Sequence, residues 1–259
     1  MIFDTHAHYD SDAFQEDREE LLNSMQRNGI GHIVNSCASV EDIPKTVALM
    51  EKYPFIYGAV GVHPDDADKI TSDVLAEIRR LCHHPKAVAV GEIGLDYYWH
   101  KEKEEHLLQQ EMFRAQLDIA REEKMPFMVH SREACADTLD IIREYMARGM
   151  YGGIIHCFSY EKETAREYLK RGLYLGIGGV VTFQNARKLK EVAAYAPLDQ
   201  LLLETDCPYL APKPYRGKRN SSLYLPYVAE MIAELKGITA QEVVEATEKN
   251  AKTVFGIKE

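Results

Sequence analysis

The chain has 259 residues, a formal net charge of −10 and 46% hydrophobic against 28% charged residues, the profile of a folded globular protein rather than a disordered one. That acidic balance excludes a broad basic surface for non-specific nucleic-acid binding, though not a nucleic-acid substrate held in a small cationic site. No apolar run approaches the roughly 20 residues that a membrane helix needs.

Short apolar runs, polar loops and periodic charged segments alternate from end to end. A first strand is predicted at Ile2–Thr5, followed by a helix at Glu16–Arg27. Strand His32–Ser36 precedes helix Ile43–Lys52, and strand Ile56–Val60 precedes helix Asp73–Cys82. Strand Ala87–Val90 leads into a long helix at Lys103–Glu123, and Pro126–Val129 into Glu133–Met146. Strands Gly153–Ile155, Tyr174–Ile177 and Leu201–Glu204 complete the set, with helices at Lys162–Arg171, Asn185–Tyr195, Leu223–Lys236 and Ala240–Phe255. The strands show little alternation, as buried parallel strands should. Eight strands alternating with helices predict one α/β domain over residues 1–259, a (β/α)8 TIM-type barrel. An open doubly wound sheet is the runner-up. A Rossmann reading is weak, because no GxGxxG follows the first strand. Gly176-Ile177-Gly178-Gly179 ends the seventh strand without a P-loop Lys-Ser/Thr, and a tight turn is its expected role.

In a barrel, chemistry sits at the C-terminal ends of the strands. His6 and His8 end strand one, two residues apart and so on one side of an extended chain. An HxH pair alone is a weak signal. Glu92 follows strand four, where an unpaired buried carboxylate would be costly unless it were protonated or bound to a metal. His130 ends strand five, His156 ends strand six, and Asp206 lies at the mouth of strand eight. Four histidines and two carboxylates at the ends of five strands on one face form a metal-ligating constellation. His32, His83 and His84 fall at strand starts, His106 in a helix and His100 in a loop, and bland roles suffice for them. Imidazole and carboxylate donors suit Zn²⁺, with Mn²⁺, Mg²⁺ or Co²⁺ as options. Six candidates exceed one tetrahedral shell, so two divalent ions are expected, with Glu92 as the natural bridge and Asp206 as proton acceptor or ligand. Cys157 and Cys207 each follow a ligand candidate and are expected to point away. Asp4 is read as a partner orienting a ligand histidine.

For substrate, His63 after strand three is an orienting candidate. Arg132 is a candidate phosphate binder, as are Lys213, Arg216, Lys218 and Arg219 in the loop after strand eight, with a solvated basic loop as the alternative. Tyr97, Tyr98 and Trp99 either stack on a base or pack at the rim. The five cysteines form no CxxC pair and are odd in number, and the start MIFDTHAH lacks a signal-peptide pattern. A reduced, cytoplasmic protein is therefore expected, with no membrane and no obligate protein partner.

Several of these segments together resemble the TatD family of metal-dependent deoxyribonucleases, over essentially the whole chain. The carriers are Phe3-Asp4-Thr5-His6-Ala7-His8, Gly91-Glu92-Ile93-Gly94-Leu95-Asp96, Pro126-Phe127-Met128-Val129-His130-Ser131-Arg132, His156-Cys157-Phe158 and Leu203-Glu204-Thr205-Asp206-Cys207-Pro208. The resemblance implies a barrel and a two-metal phosphodiesterase, with His6, His8, Glu92, His130, His156 and Asp206 as ligands. One stretch departs from the family. Its Arg-Gly-Lys-Arg-Asn is usually followed by an acidic residue and a proline, whereas here Arg216-Gly217-Lys218-Arg219-Asn220 runs into Ser221-Ser222. The leading expectation is hydrolysis of DNA phosphodiesters from an end of a single strand. An amidohydrolase-like enzyme cleaving an amide or an ester, including an aminoacyl-tRNA ester, is the alternative. It is lowered because Glu92 stands where many such barrels bridge their metals with a modified lysine. A non-catalytic metal-binding protein is the third option.

Overall fold

The computed structural model describes residues 1–258. Its strands form one eight-stranded sheet in the order β1 to β8, each strand followed by helix, which is the (β/α)8 barrel architecture. The described residues divide into two compact units, residues 1–35 with 157–258, and residues 36–156.

The first unit holds β7 (Tyr174–Ile177), β8 (Leu201–Leu203), β1 (Ile2–Ala7) and most of β2 (Ile30–Ser36). β7 pairs parallel with β8 from Leu175↔Leu201 to Ile177↔Leu203, and β1 pairs parallel with β2. A parallel bridge between Ala7 and Cys207 sets the chain after β8 beside the end of β1. The helices of this unit are α1 (Arg18–Ser24), α6 (Lys162–Leu169), α7 (Arg187–Tyr195), α8 (Leu225–Lys236) and α9 (Ala240–Phe255). α9 starts on a capping box: the Thr239 hydroxyl accepts from the Glu242 amide, and the Glu242 carboxylate accepts from Thr239. It stops at Gly256, whose φ of 66° suits glycine.

The second unit holds β3 (Ile56–Ala59), β4 (Ala87–Asp96), β5 (Phe127–Arg132) and β6 (Gly153–Ile155), with α2 (Ile43–Lys52), α3 (Ser72–Leu81), α4 (Lys103–Glu122) and α5 (Cys135–Ala147). All ten residues of β4 are buried, as a strand covered on both faces requires. The strand runs past the expected Val90 and includes Glu92. A register irregularity against β5 lies between Val90 and Ile93. The run Gly91-Glu92 interrupts the apolar pattern, which is why periodicity ended the strand early.

α4 buries Phe113 and Leu117 among this unit's apolar side chains, and each such burial stabilises by about 1.5–3 kcal/mol. The same helix buries two glutamines seven residues apart, hence on one face. Gln116 accepts from the Val62 amide at 2.8 Å and donates to the Val62 carbonyl at 3.0 Å. Gln109 does the same for Asp96, at 2.9 and 3.2 Å. Each side-chain amide thus satisfies both backbone groups of a residue where a strand gives way to loop. Among the described residues, no helix is long and apolar enough to cross a membrane. Replacing Gln116 by leucine leaves both backbone groups of Val62 buried without their partner, and we expect a loss of about 2–4 kcal/mol in urea unfolding at unchanged fold by circular dichroism.

Candidate metal centre

The second unit centres on Glu92, whose side chain is only 4% exposed. Its Oε1 lies 2.9 Å from His130 Nδ1 and 2.9 Å from His156 Nε2, with His63 Nε2 at 3.8 Å. His130 stands at its place because β4 and β5 run close together. Gly94, opposite His130 in the ladder, has φ 145°, and a Cβ there would meet the His130 carbonyl at 2.0 Å. The other ring nitrogen of His130 is 3.1 Å from Asp96 Oδ2. A histidine held between two carboxylates has one nitrogen fixed and the other aimed, the usual support of a metal-ligating imidazole. Burial disfavours a charged His130, yet the bonds to Asp96 and Glu92 outweigh it and raise its pKa. Burial also opposes ionisation of Asp96, but the His130 bond, with the amides of Trp99 and Tyr98, holds that carboxyl down at about 2.

His63 accepts the Asp65 amide on Nδ1 at 3.2 Å, so Nε2 carries its proton, the hydrogen position being inferred from that bond. Burial, and next the charge on His130, lower its pKa to about 3. It is therefore a neutral donor beside the Glu92 oxygen.

In the first unit, His6 Nε2 and His8 Nε2 point at each other across 3.0 Å. Asp206 Oδ1 lies 3.6 Å from the former and 3.3 Å from the latter. Asp206 takes a left-handed φ of 56°, a conformation that aspartate tolerates better than most residues, and its amide donates to the His6 carbonyl at 3.0 Å. The donor set fits a divalent cation in both units. The buried Glu92 oxygen meets the nitrogens of His130 and His156 at 2.9 Å in one, and the partly exposed Asp206 oxygen lies 3.3–3.6 Å from the paired nitrogens of His6 and His8 in the other. His63, Glu92 and His130 group within the reach of a single ion in the second unit.

Asp4 supports the first unit through backbone and hydroxyl groups, the His6 amide among them. It is fully buried. Its Oδ1 accepts from the amides of His6 at 3.3 Å and Thr205 at 3.0 Å, while Oδ2 accepts from the hydroxyls of Thr205 at 2.7 Å and Ser222 at 2.6 Å. Burial raises its pKa to about 7 against the pull of these bonds. Ser222 also donates its amide to the Tyr9 hydroxyl at 2.9 Å. The Ser221-Ser222 departure thus ties the loop after β8 to β1.

The stretch Gly176-Ile177-Gly178-Gly179 does lead into a tight turn at Gly179–Thr182, and Gly176 has a further constraint: a Cβ there would strike the Glu204 carboxylate at 2.0 Å. Glu204 and Asp96 are two buried carboxylates that strand-end reading left without a role. The Glu204 Oε1 accepts the Cys157 amide at 2.5 Å. Cys207 is buried, and burial pushes its thiol pKa up. Among the phosphate-binding candidates, Arg219 is held by Asp17 through two bonds of 2.7 and 2.5 Å and by the Ala13 carbonyl. Arg216 lies over the Phe183 ring and Lys218 near that of Tyr215. Arg132 is exposed and rests over Tyr98, and among the described residues it enters no ion pair.

A family model described as TatD related DNase matches residues 3–256. The chain is 45% identical over 257 residues to a metal-dependent hydrolase of Bacillus subtilis, YabD, covering 99% of this chain and all of that one. It is 31% identical over 260 residues to the 3'-5' ssDNA/RNA exonuclease TatD of Pantoea vagans, covering 98% and 99%. The crystal structure of the TatD homologue YJJV from Escherichia coli superposes with a TM-score of 0.91 at 30% identity, over 99% of this chain and 98% of that one. Replacing Asp96 by alanine frees His130, and we expect divalent-ion affinity to fall roughly 10- to 100-fold in a chelator-competition titration.

Proposed function

The chain belongs to the TatD-related DNase family of metal-dependent hydrolases, and from that premise we propose that it hydrolyses phosphodiester bonds of DNA, working from an end of a single strand. The observation that carries the reading is the Glu92 oxygen, buried and faced at 2.9 Å by a nitrogen of His130 and one of His156. An acidic chain that invests buried carboxylates and imidazoles in this way is built to hold cations.

In this reading His6, His8, Glu92, His130, His156 and Asp206 would hold two divalent ions, Zn²⁺, Mg²⁺ or Mn²⁺, in a cytoplasmic protein of one domain. Such ions supply Lewis acidity and favour hydroxide over water near neutral pH. Asp206, partly exposed, accepts the proton of the attacking water. Glu92, with His130 and His156, would hold an ion and partly neutralise its charge. His63 donates its Nε2 proton to a phosphoryl oxygen, being neutral and already fixed by the Asp65 amide. Arg132 binds a phosphate oxygen of the strand, since no carboxylate competes for it. Arg219 engages substrate only by leaving Asp17, so its first contribution is to shape the rim.

Metal-loaded protein should shorten a 5'-labelled single-stranded oligonucleotide, and EDTA should stop it. Asp206→Asn should lower kcat by about 10²- to 10⁴-fold at unchanged circular dichroism. Folded, metal-loaded protein that leaves every oligonucleotide intact while cleaving an amide or carboxylic ester would overturn the reading.

A further inference from the structure

We propose that Trp99 and Tyr98, on the turn after β4, form a stacking subsite for an unpaired nucleobase, with Arg132 beside it for the adjoining phosphate; this rests on the nuclease reading above. Trp99 is the sole tryptophan of the chain and is 65% exposed, and Tyr98 is 39% exposed. The two rings meet edge to face at 4.6 Å, which leaves ring surface in water. The Arg132 guanidinium lies 3.9 Å from the Tyr98 centroid and 5.6 Å from that of Trp99. A guanidinium over an aromatic face keeps its N–H edge outward, where it can bind a phosphate.

The exposure is not that of a loose surface loop. Asp96 Oδ1 accepts the amides of both Tyr98, at 2.8 Å, and Trp99, at 3.2 Å. At the other end Lys101 donates to the Tyr97 carbonyl at 2.8 Å, and the His106 ring bonds the His100 carbonyl at 2.9 Å. Tyr97 is spoken for: its ring stacks on His106 at 3.6 Å and its hydroxyl donates to Asp137 at 2.8 Å. The turn therefore anchors one aromatic inward and presents two outward from a pinned backbone.

The same Asp96 carboxylate holds His130 through its second oxygen. One side chain thus sets both a candidate metal ligand and the ring platform, which fixes the distance between a stacked base and the bond to be cut. A base in a duplex has both faces covered by its neighbours, so the platform selects unpaired strands.

The sole tryptophan makes the test direct. Metal-loaded Asp206→Asn protein should show quenching of its tryptophan fluorescence on adding a single-stranded oligonucleotide, and none with an abasic strand of equal length. In the active enzyme, Trp99→Ala should raise KM for the ordinary strand roughly five- to 100-fold at little-changed kcat. Trp99→Phe should restore most of that loss, and the abasic strand should not register the substitution. Equal quenching by both strands, or an unmoved KM, overturns the platform while cleavage leaves the nuclease reading standing. Quenching by the ordinary strand alone, in a protein that cuts no oligonucleotide, keeps the platform and removes the nuclease reading.

Discussion

A carboxylate at the centre of a dry strand needs positive charge or donors close by, and Glu92 is such a group. The architecture of the second unit follows from that need. β5 and β6 each bring an imidazole to one oxygen of Glu92, at equal distances. Behind His130 stands Asp96, and behind Asp96 stands Gln109 of α4, which holds its backbone from the far side. Charge, ligand and scaffold therefore form one chain of contacts running from the strand end back into the helix layer. A shift in any link moves the next, because interiors at this density transmit displacement.

The first unit solves the same problem with different parts. His6 and His8 share a side of β1, and Asp206 reaches them from a left-handed backbone after β8. Asp4 ties together the backbones of β1 and the strand-eight mouth, and it takes a hydroxyl from Ser222. The short polar residues that replace the family's acidic residue and proline thus find a partner within the scaffold. Both serines are buried.

The strand-end logic made much of this legible. A polar residue closing an apolar run is a local signal, and His130, His156 and Asp206 each carried it. Elements with clear helical period, such as Ile43–Lys52 and Ala240–Phe255, matched to the residue. β4 ran further than periodicity showed, because burial on both faces leaves no alternation to read and Gly91-Glu92 looks like a strand end. The glutamines of α4 were not legible at all. Their partners are backbone groups some 13 and 54 residues away in sequence, and nothing in a helical pattern names a distant amide. The constraint on Gly176 was not legible, because the carboxylate that excludes a side chain there comes from Glu204, just past β8. Arg219 looked like a free cation because Asp17 lies across most of the chain from it.

The way Asp96 holds the turn after β4 bears on which of its residues can change. Its oxygen grips two backbone amides, at positions 98 and 99, and no side chain of that turn. Every residue but proline offers such an amide. Side chains at these two positions are therefore free to drift while His130 keeps its orientation. The turn's side chains and the His130 imidazole, though joined through one carboxylate, are thus separately adjustable.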